Sequence, residues 1–323
     1  MKTLRMAGLL ASHAALAVVG FQLAGKAPAD PRGAERDPRP AVPASIQETR
    51  TAPASSNPIL RAGAADFRAA WDEMILSKRG TSGEPHGNSL NFFVDWCAVD
   101  PEGAVRGLSR LYAPRFAHNY LSNGIGSYGA EMAPALAKHW REIRYLPDYK
   151  VEFALGKSLN ALAKSDPEAA AGLTKGQPPG MRADIYSNLF SNLELDAIRR
   201  TAAVLSAPPS IDGDEATRMW DAVADAVDAA DPKQGIWDWL VRADDPQARR
   251  ALVEEGMMKS AREENWGPFF QAVIHLDPGA QAEVRGQFRE RLSSGEGWSK
   301  HASVIADECQ RNGIDDWSEG IKP

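Results

Sequence analysis

An all-α fold, an α-solenoid of stacked helical hairpins in one domain, is what this sequence predicts, and three observations lead there. From Pro58 onward the apolar residues recur with helical spacing, as in Phe67, Trp71, Met74 and Ile75, or Leu136, Trp140 and Ile143, or Ile185, Leu189, Leu193 and Ile198. Alternating runs are scarce, and the best, Tyr149-Lys150-Val151-Glu152-Phe153, is short. Third, the dipeptide Asp-Pro returns at 100–101, 166–167, 231–232, 245–246 and 277–278. Asp is a good N-cap and Pro fits the first helical position, so each pair should end one helix and start the next.

The segment before the first helix has a different character. Residues 1–25 open with Lys2 and Arg5, run through apolar residues 6–20 and end in small residues near Ala24, which is the layout of an export signal. Uncleaved, residues 6–25 would be long enough at ~1.5 Å per residue to anchor the chain in a bilayer. The expectation is an exported protein, periplasmic or secreted, touching the membrane only through this segment if it is retained. Residues 26–57 hold Pro28, Pro31, Pro38, Pro40, Pro43 and Pro53 among Ala, Arg, Asp and Ser. So few large apolar side chains cannot offset the entropy of ordering, and the segment reads as a disordered tether to a helical domain at 58–323.

Composition narrows the partners. Apolar residues make up 43% of the 323-residue chain, which suits a sizeable core. Lys plus Arg number 37 against 43 Asp plus Glu, giving a net charge of −6, so no basic field invites nucleic acid. The two cysteines, Cys97 and Cys309, make no disulfide scaffold; they read as buried thiols, with a bridge between them as the alternative.

The helices before the Asp-Pro pairs share an apolar pattern. Four positions before Asp stand Trp96, Leu162, Val227 and Val273; seven before, Phe93, Leu159, Ala224 and Phe270; eleven before, Ser89, Leu155, Trp220 and Trp266. Those offsets fall on one helix face. Pro101, Pro167 and Pro232 are spaced by nearly twice 33 residues, with Pro134 midway between the first two, and Pro246 and Pro278 lie 32 apart. A period of about 33 is that of a helix-turn-helix unit that must stack on its neighbours.

The run Phe269-Phe270-Gln271-Ala272-Val273-Ile274-His275-Leu276-Asp277-Pro278 resembles the end of a tetratricopeptide unit. The resemblance covers the C-terminal third. Elsewhere the Gly and Tyr of that family's first helix have no counterparts, and a HEAT-like helical-pair array is the equal alternative. Both families imply protein or peptide binding without catalysis, here as a scaffold in the cell envelope.

Several constellations bear on chemistry. Gly124-Ile125-Gly126-Ser127-Tyr128-Gly129, with Asp148 about 20 residues on, matches the dinucleotide fingerprint, but the residues before it do not read as a buried strand; a loop leading to a helix near Ala130 is expected. The histidines and cysteines show no ligand spacing, so neither a metal nor a cofactor is expected. Glu84 and His86, in a Gly-rich stretch, are the pair for proton exchange should the protein instead be an exported hydrolase of glycan or peptide. For binding, Trp237 and Trp239 lie two apart and cannot both face inward in one helix, and Asp221, Asp225 and Asp228 share a face suited to a basic partner.

Overall fold

A computed structural model of the chain describes residues 63–77, 87–110, 114–143, 146–207, 211, 213–294, 298–315 and 317–318. The export signal, the Pro-rich tether, Glu84 and His86 lie outside them. The described residues form fourteen α-helices and no strand. They are α1 (Ala64–Ser77), α2 (Gly87–Val99), α3 (Pro101–Leu108), α4 (Pro114–His139), α5 (Asp148–Ala163), α6 (Pro167–Lys175) and α7 (Pro179–Phe190). There follow α8 (Leu195–Ser206), α9 (Gly213–Ala230), α10 (Gly235–Arg242), α11 (Pro246–Glu263), α12 (Gly267–Ile274), α13 (Pro278–Ser294) and α14 (Ala302–Arg311).

Four of the five Asp-Pro pairs start helices as the dipeptide dictates. Asp100 accepts from the Gly103 amide at 2.8 Å and Asp166 from Ala169 at 3.0 Å, opening α3 and α6. Asp245 accepts from Gln247 at 2.7 Å at the head of α11, and Asp277 from Gly279 at 2.9 Å and Ala280 at 3.0 Å at the head of α13. Asp231 departs from this. Its carboxylate caps the amides of Lys233 and Gln234, but residues 232–234 form a turn and α10 begins only at Gly235. Gly235 fits there because a Cβ would sit 2.8 Å from the Val227 carbonyl oxygen.

The shared apolar face is buried. All twelve aligned positions are less than a tenth exposed except Leu162, which is half-buried against the core. Burying each large side chain contributes roughly 1.5–3 kcal/mol. Cys97 and Cys309 are fully buried and no disulfide joins them, so the bridged alternative falls away.

Two expectations are corrected. Gly124 to Ser127 are not a loop but the end of a helical stretch, and the break comes at Tyr128 (φ −137°, ψ 40°) inside α4. A Cβ on Gly124 would lie 2.9 Å from Met132 Sδ, eight residues on, a separation of ~12 Å along a straight helix. The chain therefore folds back at Tyr128, and Pro134 lies inside the second half of α4 rather than at a repeat boundary. Beyond this point α5 touches α6 and each helix from α8 to α12 touches its successor, and contacts also join helices in two alternate series: α5, α7, α9, α11 and α13, and α6 with α8, then α10, α12 and α14. Asp166 and Asp231 follow members of the first series, whereas Asp245 and Asp277 follow members of the second. The two stretches sharing Trp-x10-Asp-Pro thus end on different series. A dipeptide that suits any helix start marks both kinds of junction.

Candidate binding surfaces

Helix α5 turns Val151, Ala154 and Leu155 into the core. Tyr149 and Phe153, four residues apart, fall on its other side, 64% and 46% exposed. They border a hollow of about 490 Å³ between α4, α5 and α7, with Lys150, Glu152, His118, Asp184 and Asn188 around it. The Lys157 ammonium lies 5.6 Å from the centre of the Phe153 ring and donates to Ser191 Oγ at 3.2 Å. The sequence showed these aromatics only as an alternating run. On a helical projection the same residues separate into a buried and an exposed face, which was the available signal.

Asp221 and Asp225 are exposed on α9, facing α11, and no ion pair joins them to a cation among the described residues. Burial raises the proton affinity of Asp221, and Asp225 and Glu254 add to it against Arg250. Asp225 is raised by burial and then by Asp228. On the facing helix Glu255 is raised by burial, Asp225 and Asp228. Asp228 differs from its two neighbours: it accepts from the buried Lys259 at 2.7 Å and from Arg262 at 3.4 Å. Two members of the predicted acidic face are thus exposed, and the third ties α9 to α11.

Of the two tryptophans, Trp237 is buried, edge-on to Phe269 at 6.3 Å and against Gly256, where a Cβ would sit 2.8 Å from its ring. It is a core residue. Trp239 is half-buried and lines a second hollow, about 330 Å³, with Trp220, Arg199, Arg242, Asp244 and Leu252.

Among the described residues no group of three or more His, Cys, Asp or Glu side chains is placed to hold a metal ion. His139 is clamped between two carboxylates, Nδ1 to Glu142 at 2.7 Å and Nε2 to Glu102 at 2.8 Å. The carboxyl of Glu102 is held below its usual range by hydrogen bonds from Lys138 and His139, and that of Glu142 by His139. The cluster fastens α3 to the second half of α4. The glycine fingerprint also has a packing explanation: Gly124 abuts Met132, Cys97 and Phe93, and Gly129 abuts Ala161 of α5. No family model, curated protein or solved structure matches the chain.

Proposed function

We propose that the protein is an exported, non-catalytic α-solenoid of the cell envelope that binds a basic polypeptide segment across the exposed side of α5, α7, α9 and α11. The repeat reading is supported by the two alternate series of helix contacts and by ion pairs that join residues 31 to 38 positions apart. Examples are Asp72 with Arg110, Glu168 with Arg200, Asp228 with Lys259 and Glu283 with Arg249. Offsets near one unit length are what stacked helical pairs produce.

One observation carries the binding reading: Asp221, Asp225 and Glu255 face one another across α9 and α11 with raised proton affinities. Burial first, and then mutual repulsion, disfavours the charged carboxylates, and an incoming cation favours them; Glu255 has Arg262 at 3.9 Å, whereas Asp221 and Asp225 are left for Lys and Arg of a partner. Asn188, on the edge of the aromatic hollow, precedes Asp221 by one unit length, and Asp221 precedes Glu254 by another. In a stack those residues lie at one level, which lets Tyr149 and Phe153 anchor apolar side chains of the segment whose basic residues meet the acids.

A fluorescent Lys/Arg-rich peptide titrated into the full chain tests this by anisotropy. Binding should weaken with added salt, and Asp221→Asn with Asp225→Asn should weaken it by about tenfold. Equal binding of an acidic peptide, or indifference to the two substitutions, refutes the acidic-face reading. Cell fractionation tests the export: the chain should leave the cytoplasm only with residues 1–25 present.

A further inference from the structure

Arg199 and Arg242 stand beside the Trp239 hollow without an acidic partner among the described residues, although Arg200, next along α8, is held by Glu168 at 2.6 Å. The Arg199 guanidinium lies 5.7 Å from the centre of the Trp239 ring. Trp220 contributes a second indole, and Ala248 and Leu252 give the hollow an apolar wall. Two carboxylates are also present. Asp245 is occupied at the head of α11, where its Oδ1 accepts from Gln247 and Ala248, and helix-terminal amides offset its charge. Asp244 is exposed on the same turn. That turn is fixed from behind by Arg249, which donates to the Ala243 carbonyl at 2.9 Å.

We infer that this hollow binds a small organic anion that joins a flat ring to a carboxylate. Planar guanidinium groups match a carboxylate with paired hydrogen bonds, and indole faces take a flat ring by stacking. A volume of about 330 Å³ is at the scale of a small molecule and too small for a folded partner. The site is independent of the acidic face: it uses Trp220 and the α8, α10 and α11 side chains around it rather than Asp221 and Asp225.

Phenylacetate is the probe, titrated into the full chain by calorimetry and by tryptophan fluorescence. The expected Kd is about 1 mM or tighter, given how little free energy a ligand of this size can gain. Arg199→Gln and Arg242→Gln, both at exposed side chains, should leave the melting temperature in place and each weaken binding by about tenfold. 2-Phenylethylamine, with the same ring and the opposite charge, should not bind; acetate and inorganic phosphate, which lack the ring, should bind far more weakly. Asp221→Asn and Asp225→Asn should leave phenylacetate binding unchanged. Absence of phenylacetate binding overturns the inference. So does binding that survives loss of both arginines, or equal binding of the amine, acetate or phosphate.

Discussion

Arg182 grips Glu215, 33 residues on, through two parallel hydrogen bonds, Nε to Oε1 at 2.5 Å and Nη2 to Oε2 at 2.7 Å. The Tyr186 hydroxyl donates to the same Oε1 at 2.6 Å. Burial alone would raise the Glu215 carboxyl, but the hydrogen bonds from Arg182 and Tyr186 outweigh it and hold the group below its usual range. The remaining arm of Arg182 donates to the carbonyls of Lys175 and Gln177, seven and five residues back. Gln281 reaches Ile274 and Leu276 by the same two steps. Both residues stand three after the proline that opens their helix, so one side chain binds the last carbonyl of the previous helix, and one in the turn after it, to the head of its own.

Arg182→Met would leave Glu215 buried without its cation, and a loss of about 3–5 kcal/mol in unfolding free energy is expected. The double variant with Glu215→Leu should recover most of it, because two apolar side chains then replace a matched pair. Denaturant melts of the single and double variants measure both. A single variant as stable as the parent would mean that the pair carries no weight.

Gly124 and Gly126 belong to one glycine fingerprint yet should respond in opposite directions to alanine. At Gly124 the new Cβ would press on Met132, Cys97 and Phe93, the first at 2.9 Å, and overpacking of this kind costs roughly 1–3 kcal/mol. Gly126 is exposed and helical with nothing within 4 Å, so alanine there should stabilise by up to about 1 kcal/mol. Thermal melts decide it. Two neutral outcomes would contradict the packing found around Gly124.

Acids on this chain fall into two groups with opposite pH signatures. Asp221, Asp225 and Glu255 bind protons more tightly folded than unfolded, so their penalty is absent in acid and grows as pH rises through their raised values. Glu215 is shifted down, so its contribution is present above the ordinary carboxyl range and fades as pH falls. Asp225→Asn should therefore raise the unfolding free energy at neutral pH, by less than about 1 kcal/mol at so open a site, and the gain should vanish towards pH 4. A gain that persists in acid would show that the ionised carboxylate is not its source.

The helices themselves were legible because apolar spacing and Asp-Pro caps act within a few residues of each other. The apolar alignment also held, since Phe93, Leu159, Ala224 and Phe270 are all buried. What the sequence concealed lies at longer range. Arg182 and Glu215 look like ordinary surface residues until a distance of about one unit length is allowed between partners. The reversal at Tyr128 was only half marked: Gly124, Gly126 and Gly129 read as a loop, yet the helix runs through the first two, and only contacts such as Gly124 against Met132 show where the path turns. Of the tryptophan pair Trp239 borders a hollow, while Arg199 and Arg242 beside it have no pattern of their own in the chain. They became visible only as cations without counterions.

Tyr128 has a reach far beyond its own neighbours. In one straight rod from Pro114 to His139, Gly124 and Met132 would stand ~12 Å apart along the axis. The half that meets Phe93 and Cys97 of α2 could not then lie beside the half whose His139 reaches Glu102 of α3. The backbone angles of one residue thus keep four helices within reach of each other.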